Sequence, residues 1–125
     1  MKQSILIVDD DDSVRRNYKD ILEDEGYQVA EHDSADQLIS VFPDSGYDLV
    51  ILDISIHGDR SAGHKLCETL KALYPQIPIA MLTSLDDEKN RTTAMNNGAN
   101  AYWTKSACVT GFLNDVKKLL TIKVD

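Results

Sequence analysis

The chain holds 125 residues, 21 acidic against 13 basic, with a formal net charge of −8. That length suits a single domain with its own core, and the acidic balance speaks against a nucleic-acid surface or an anionic membrane. No apolar run approaches the ~20 residues of a spanning helix, the N-terminus has no signal-peptide layout, and Cys67 and Cys108 form no disulfide framework, so a cytoplasmic protein with reduced thiols is expected.

The acids are skewed: 16 are Asp and 5 are Glu, and four Asp stand in a row from Asp9 to Asp12. Asp is favoured at turns, helix N-caps and cation sites rather than on helix surfaces. That run follows Ile5 to Val8, a continuous apolar stretch that suits a strand covered on both faces. Val14, Tyr18, Ile21 and Leu22 then recur at helical spacing, with Asp11 and Asp12 as helix-start acids and Gly26 as the stop. Tyr27 to Ala30 reads as a weaker second strand. Ser34 suits the cap of a helix carrying Ala35, Leu38, Ile39 and Phe42 and ended by Pro43.

Leu49 to Leu52 is a second buried-strand run, followed by a helical stripe of Leu66, Leu70 and Leu73 that closes near Pro75. Ile77 to Leu82 gives a fourth strand. Asp86 or Asp87 suits the cap of a helix running to about Asn97, with Gly98 as its stop; Ala94 and Met95 are nearly all of its apolar face. Ala101 to Trp103 gives a fifth strand. Val109, Phe112, Leu113, Val116, Leu119 and Leu120 form the strongest helical stripe, and residues 121–125 read as a short tail.

Five strands alternating with five helices predict an α/β domain, doubly wound about a parallel sheet. Ligands of such sheets bind at the carboxyl ends of the strands. There Val8 runs into Asp9 and Asp10, Leu52 into Asp53, Leu82 into Thr83 and Ser84, and Trp103 into Thr104 and Lys105. Three converging carboxylates repel one another unless a cation sits among them, and an all-oxygen cluster suits Mg²⁺. A hard cation beside a carboxylate, with Lys and Thr donors, suits phosphoryl transfer, and the carboxylate can itself be the nucleophile. His57, His64 and Cys67 match no zinc spacing.

The order Ile7-Val8-Asp9-Asp10-Asp11, Leu49 to Asp53, Leu82-Thr83-Ser84 and Tyr102-Trp103-Thr104-Lys105 resembles the response-regulator receiver domain of two-component signalling, from Ile5 to about Leu120. The resemblance implies a flavodoxin-like sheet of strand order 2-1-3-4-5. It implies Asp53 as phospho-acceptor, Asp9 and Asp10 as the acidic pair for Mg²⁺, and the backbone carbonyl of Ser55 as a further ligand. It implies Thr83 and Lys105 as partners of the phosphoryl oxygens, Tyr102 as an aromatic switch, and Ser55 and Leu85 as positions that tune phosphoryl lifetime. The implied partners are a histidine kinase or phosphotransfer protein, and a downstream target or output domain on the fourth helix, fifth strand and fifth helix. A phosphorylation-dependent dimer is a further implied option.

Two departures from the family pattern stand out. His57 replaces a usual Pro and Gly63 comes two positions late, which suggests a longer loop before the next helix. Ser106 follows Lys105 where the family has a cis-linked Pro. A cis bond before Ser costs ~2.5–4 kcal/mol, so a trans bond is expected. Two other readings compete: a haloacid-dehalogenase-type phosphatase with Asp9 as nucleophile, for which the chain is short, and a receiver-like interaction module that is never phosphorylated.

Overall fold

The computed structural model describes residues 3–32, 47–53, 60–84, 88–105 and 108–121. Strands β1 (Ser4–Val8), β2 (Gln28–His32), β3 (Leu49–Asp53), β4 (Ile79–Thr83) and β5 (Ala101–Thr104) form one sheet. All neighbours pair in parallel, and the order is β2-β1-β3-β4-β5. This is the doubly wound, flavodoxin-like order that the sequence implies. The described helices are α1 (Asp12–Asp24), α2 (Arg60–Leu73), α3 (Glu88–Asn96) and α4 (Val109–Thr121). The helix expected after Ser34 lies outside the described residues.

Alternation along the strands divides the core into two layers. Ile5, Ile7, Leu49, Ile51, Ala80, Leu82 and Trp103 face α1 and α4, meeting Leu22, Phe112, Val116 and Leu119. Leu6, Val8, Val50, Leu52, Ile79, Met81 and Tyr102 face α2 and α3, meeting Leu66, Cys67, Leu70 and Ala94. Strands β3 and β4 are buried along their whole length, which is why they read as unbroken apolar runs. The edge strand β2 is only partly buried, and it carries Glu31 and His32.

Two glycines end helices as expected. Gly26 has φ +97°, and its N–H donates to Glu23 O at 2.9 Å while Tyr27 N–H donates to Leu22 O at 3.2 Å. Gly98 has φ +98°, with its N–H donating to Met95 O at 3.1 Å and Ala99 N–H to Ala94 O at 3.0 Å. Both are Schellman closures, which need a left-handed residue that Gly supplies without steric cost. At the other end of α1, Asp11 is the N-cap, its Oδ1 accepting from Val14 N–H at 3.1 Å, and Asp12 lies in the first turn.

Three expectations need correction. Leu73 is exposed, and the buried stripe of α2 is Leu66, Cys67 and Leu70. Val109, the first residue of α4, is also exposed, and the buried stripe of that helix begins at Phe112. Gly63 lies inside α2, which starts at Arg60, so its late position is no sign of a loop reaching that far.

Candidate functional site

Strand register brings the acids together. Val8 is the partner of Leu52, so the next residues, Asp9 and Asp53, leave adjacent strands side by side. Asp53 pairs with Leu82, one residue before Thr83, and Thr83 pairs with Thr104, one residue before Lys105. The carboxylate oxygens of Asp9, Asp10 and Asp53 lie within 4.8 Å of one another. Among the described residues this is the one group of three suited to a metal ion. Asp9 and Asp53 are buried, and Asp10 is half-buried.

Burying carboxylates is costly unless they are paired. Asp9 Oδ1 accepts from Asp11 N–H at 2.9 Å, and Lys105 Nζ approaches Asp9 Oδ2 to 3.0 Å and Asp53 Oδ2 to 3.5 Å. Burial pulls the Lys105 pKa down, but the bond to Asp9 and the charge of Asp53 outweigh it and hold the ammonium above its ordinary value. Thr83 is buried at the end of β4, and its carbonyl accepts from Lys105 N–H at 2.7 Å. Tyr102 is buried on the opposite face of the sheet from Trp103, with the Arg91 guanidinium 4.7 Å from its ring centre. Ser55, His57, Leu85 and the Lys105–Ser106 junction lie outside the described residues.

The donor set fits Mg²⁺: three carboxylates offering hard oxygens only, with the Lys105 ammonium beside Asp9 and Asp53. His64 and Cys67 take no part in any such cluster. His64 Nε2 lies 3.2 Å from Asn90 Oδ1, and Cys67 is in the core.

Sequence reasoning missed Arg15, a charged side chain that is 6% exposed. Its Nη1 donates to the Asp9 carbonyl at 2.7 Å, its Nη2 to Asp12 Oδ1 at 2.6 Å and its Nε to Glu31 Oε1 at 3.0 Å. It thus ties the end of β1 to the start of α1 and to β2. The signal was its position: Arg15 precedes Tyr18 by three residues and Leu22 by seven, so it lies on the inward stripe of α1. An arginine there needs acceptors.

Residues 5–116 match the family model of the response regulator receiver domain. The chain is 32% identical over 116 residues to the transcriptional regulatory protein ResD of Bacillus subtilis, covering 93% of this chain and 47% of ResD. It is 31% identical over 120 residues to the transcriptional regulatory protein SrrA of Staphylococcus aureus, covering 96% of this chain and 48% of SrrA. The chain therefore spans about half the length of these curated relatives. A receiver domain protein from Methanospirillum hungatei superposes with a TM-score of 0.86 at 30% identity, over 96% of this chain and 94% of that one. The BeF3-activated N-terminal receiver domain of Klebsiella pneumoniae RstA gives a TM-score of 0.88 at 29% identity, over 95% and 99%. Fold, strand-end carboxylates and these matches agree: the chain belongs to the response regulator receiver family of two-component systems.

Proposed function

We propose that this domain is a phosphorylation-dependent signalling switch with Asp53 as the acceptor. The donor is the phosphohistidine of a histidine kinase or phosphotransfer protein. A carboxylate oxygen of Asp53 attacks phosphorus while the bond to the donor imidazole nitrogen breaks. That nitrogen keeps the bonding pair and takes a proton from solvent, and Asp53 becomes an acyl phosphate. The domain turns over no separate substrate; it promotes only its own phosphorylation and dephosphorylation.

Asp9, Asp10 and Asp53, with the backbone carbonyl of Ser55, are the residues that would hold Mg²⁺. When bound, Mg²⁺ supplies positive charge to offset the phosphoryl oxygens. The chain's own contribution is Lys105, whose ammonium lies 3.5 Å from the acceptor carboxylate, and the Thr83 hydroxyl at the end of the neighbouring strand. New charge and acceptor oxygens on Asp53 draw these two groups toward it and bias a two-state equilibrium. Tyr102, one strand over, carries the change to the surface of α3, β5 and α4, where a downstream target, output domain or second copy binds. Ser55 and Leu85 set how long the phosphoryl group lasts.

The observation that carries this reading is the group of three carboxylates within 4.8 Å, with one ammonium shared between Asp9 and Asp53. The test is incubation with acetyl phosphate with and without Mg²⁺, followed by intact-mass measurement. One phosphoryl group is expected with Mg²⁺ and none without. An unchanged mass in both arms, with no binding of beryllofluoride, favours the interaction module that is never phosphorylated.

A further inference from the structure

Lys105 is the first residue beyond the edge strand β5, and two contacts hold its backbone: the last bond of the β4–β5 ladder and one from α1. On its amino side, Lys105 N–H donates to Thr83 O at 2.7 Å. On its carbonyl side, the Tyr18 hydroxyl of α1 donates to Lys105 O at 3.3 Å, across 87 residues of sequence. Tyr18 is itself held in place. Its ring meets Phe112 edge-on with centroids 5.1 Å apart, and Phe112 meets Trp103 in the same manner at 5.1 Å. Burial raises the Tyr18 pKa, with the Asp9 charge acting in the same direction and Lys105 against it, so the hydroxyl keeps its proton and remains a donor.

We propose that Tyr18 is a positioning residue for Lys105: by fixing the lysine's carbonyl, it fixes the point from which the ammonium reaches Asp9 and Asp53. This rests on the reading of Asp53 as phospho-acceptor. A lysine stem has several free rotors, so the ammonium is only as well placed as the backbone that carries it. The hydroxyl does not touch the carboxylates. It acts on phosphorylation through Lys105 alone.

Tyr18→Phe removes the hydroxyl and keeps the ring against Phe112. The rate of Asp53 phosphorylation from acetyl phosphate at saturating Mg²⁺ is expected to fall about two- to tenfold, the worth of one neutral hydrogen bond. Mg²⁺ affinity does not weaken, and the thermal midpoint, followed through Trp103 fluorescence, falls by only a few degrees, as the loss of one hydrogen bond implies. In a Lys105→Ala background the same substitution leaves the residual rate unchanged, because the group it positions is gone. Tyr18→Leu, which also removes the ring, lowers the thermal midpoint but slows the reaction no further when assayed well below unfolding.

Equal rates for wild type and Tyr18→Phe overturn the proposal. So does an equal slowing in both lysine backgrounds, which shows an effect that does not pass through Lys105. A wild-type protein that takes no phosphoryl group overturns the reading of Asp53 and this inference together.

Discussion

Lys105 Nζ lies nearer to Asp9, at 3.0 Å, than to Asp53, at 3.5 Å. The ammonium is therefore shared between Asp53 and Asp9. On the proposed function it would have two opposed effects: competing with Mg²⁺ for Asp9, and neutralising phosphoryl oxygens that arrive at Asp53. Lys105→Met separates them. Mg²⁺ affinity is expected to rise by about tenfold as a repelling charge is removed. Phosphorylation at saturating Mg²⁺ is expected to slow by about a hundredfold, the usual cost of a lost charge-stabilising donor. Calorimetric Mg²⁺ titration and acetyl phosphate kinetics measure the two effects independently.

Arg15 holds Asp9 from behind. Its bonds to the Asp9 carbonyl, Asp12 and Glu31 satisfy a buried guanidinium that otherwise lacks water. Arg15→Met is expected to cost about 2–4 kcal/mol in urea unfolding, because charged hydrogen bonds are lost and Glu31 keeps only Lys19 of its two cationic partners. Arg15→Lys recovers only part, since one ammonium cannot serve three diverging acceptors.

Glu31 gives that network a pH signature. Its hydrogen bond to Arg15, helped by Lys19, outweighs partial burial and holds its pKa below the ordinary 4.5. A carboxylate with a depressed folded-state pKa stabilises the fold above its unfolded value, and that contribution is lost as pH falls through the folded one. Glu31→Gln is therefore expected to be less stable than wild type near neutrality. The gap should close once the pH is well below 4.5. Chemical unfolding at neutral and at strongly acidic pH measures this directly.

Helix α3 is expected to open before the other described helices. It buries only Ala94, and Met95 points to solvent. Polar contacts add to this: Asn90 to His64 at 3.2 Å, Arg91 over Tyr102 and, one residue past the helix, Asn97 Nδ2 to the His64 carbonyl at 3.4 Å. Few buried apolar contacts mean a small free energy for local opening. In hydrogen–deuterium exchange, α3 amides should exchange well before those of α4, which buries Phe112, Val116, Leu119 and Leu120.

The two thiols should differ sharply in reactivity. Burial pushes the Cys67 pKa up to about 11, so it stays a protonated core side chain. Cys108 is exposed at the start of α4, where the N–H groups of Gly111 and Thr110, then the Thr110 hydroxyl, lower its pKa. A thiol reagent at mildly alkaline pH is expected to label Cys108 alone in the native protein and both thiols after unfolding. Peptide mapping assigns the label.

Much of the fold is legible in the sequence because β1, β3 and β4 are covered on both faces and carry unbroken apolar runs. The helix stops are legible because Gly26 and Gly98 supply a conformation that other residues avoid. The acids are legible because they follow those runs directly, and parallel register then aligns Asp9 with Asp53. What pairwise tertiary contact decides is not legible. Tyr18 reads as one more apolar helix residue until its hydroxyl is seen on Lys105, 87 positions away. Arg15 reads as surface until three acceptors are found around it. Leu73 fits a helical stripe by spacing, yet it is the last residue of α2 and lies exposed.

The central claim is that Asp53, and not Asp9, carries the phosphoryl group. Treatment with acetyl phosphate and Mg²⁺, reduction with borohydride, and tandem mass spectrometry of the peptides test it most directly, since reduction converts a phosphorylated aspartate into homoserine. Homoserine is expected at position 53 alone, and no conversion in Asp53→Asn. Homoserine at position 9, or labelling that persists in Asp53→Asn, would contradict the account.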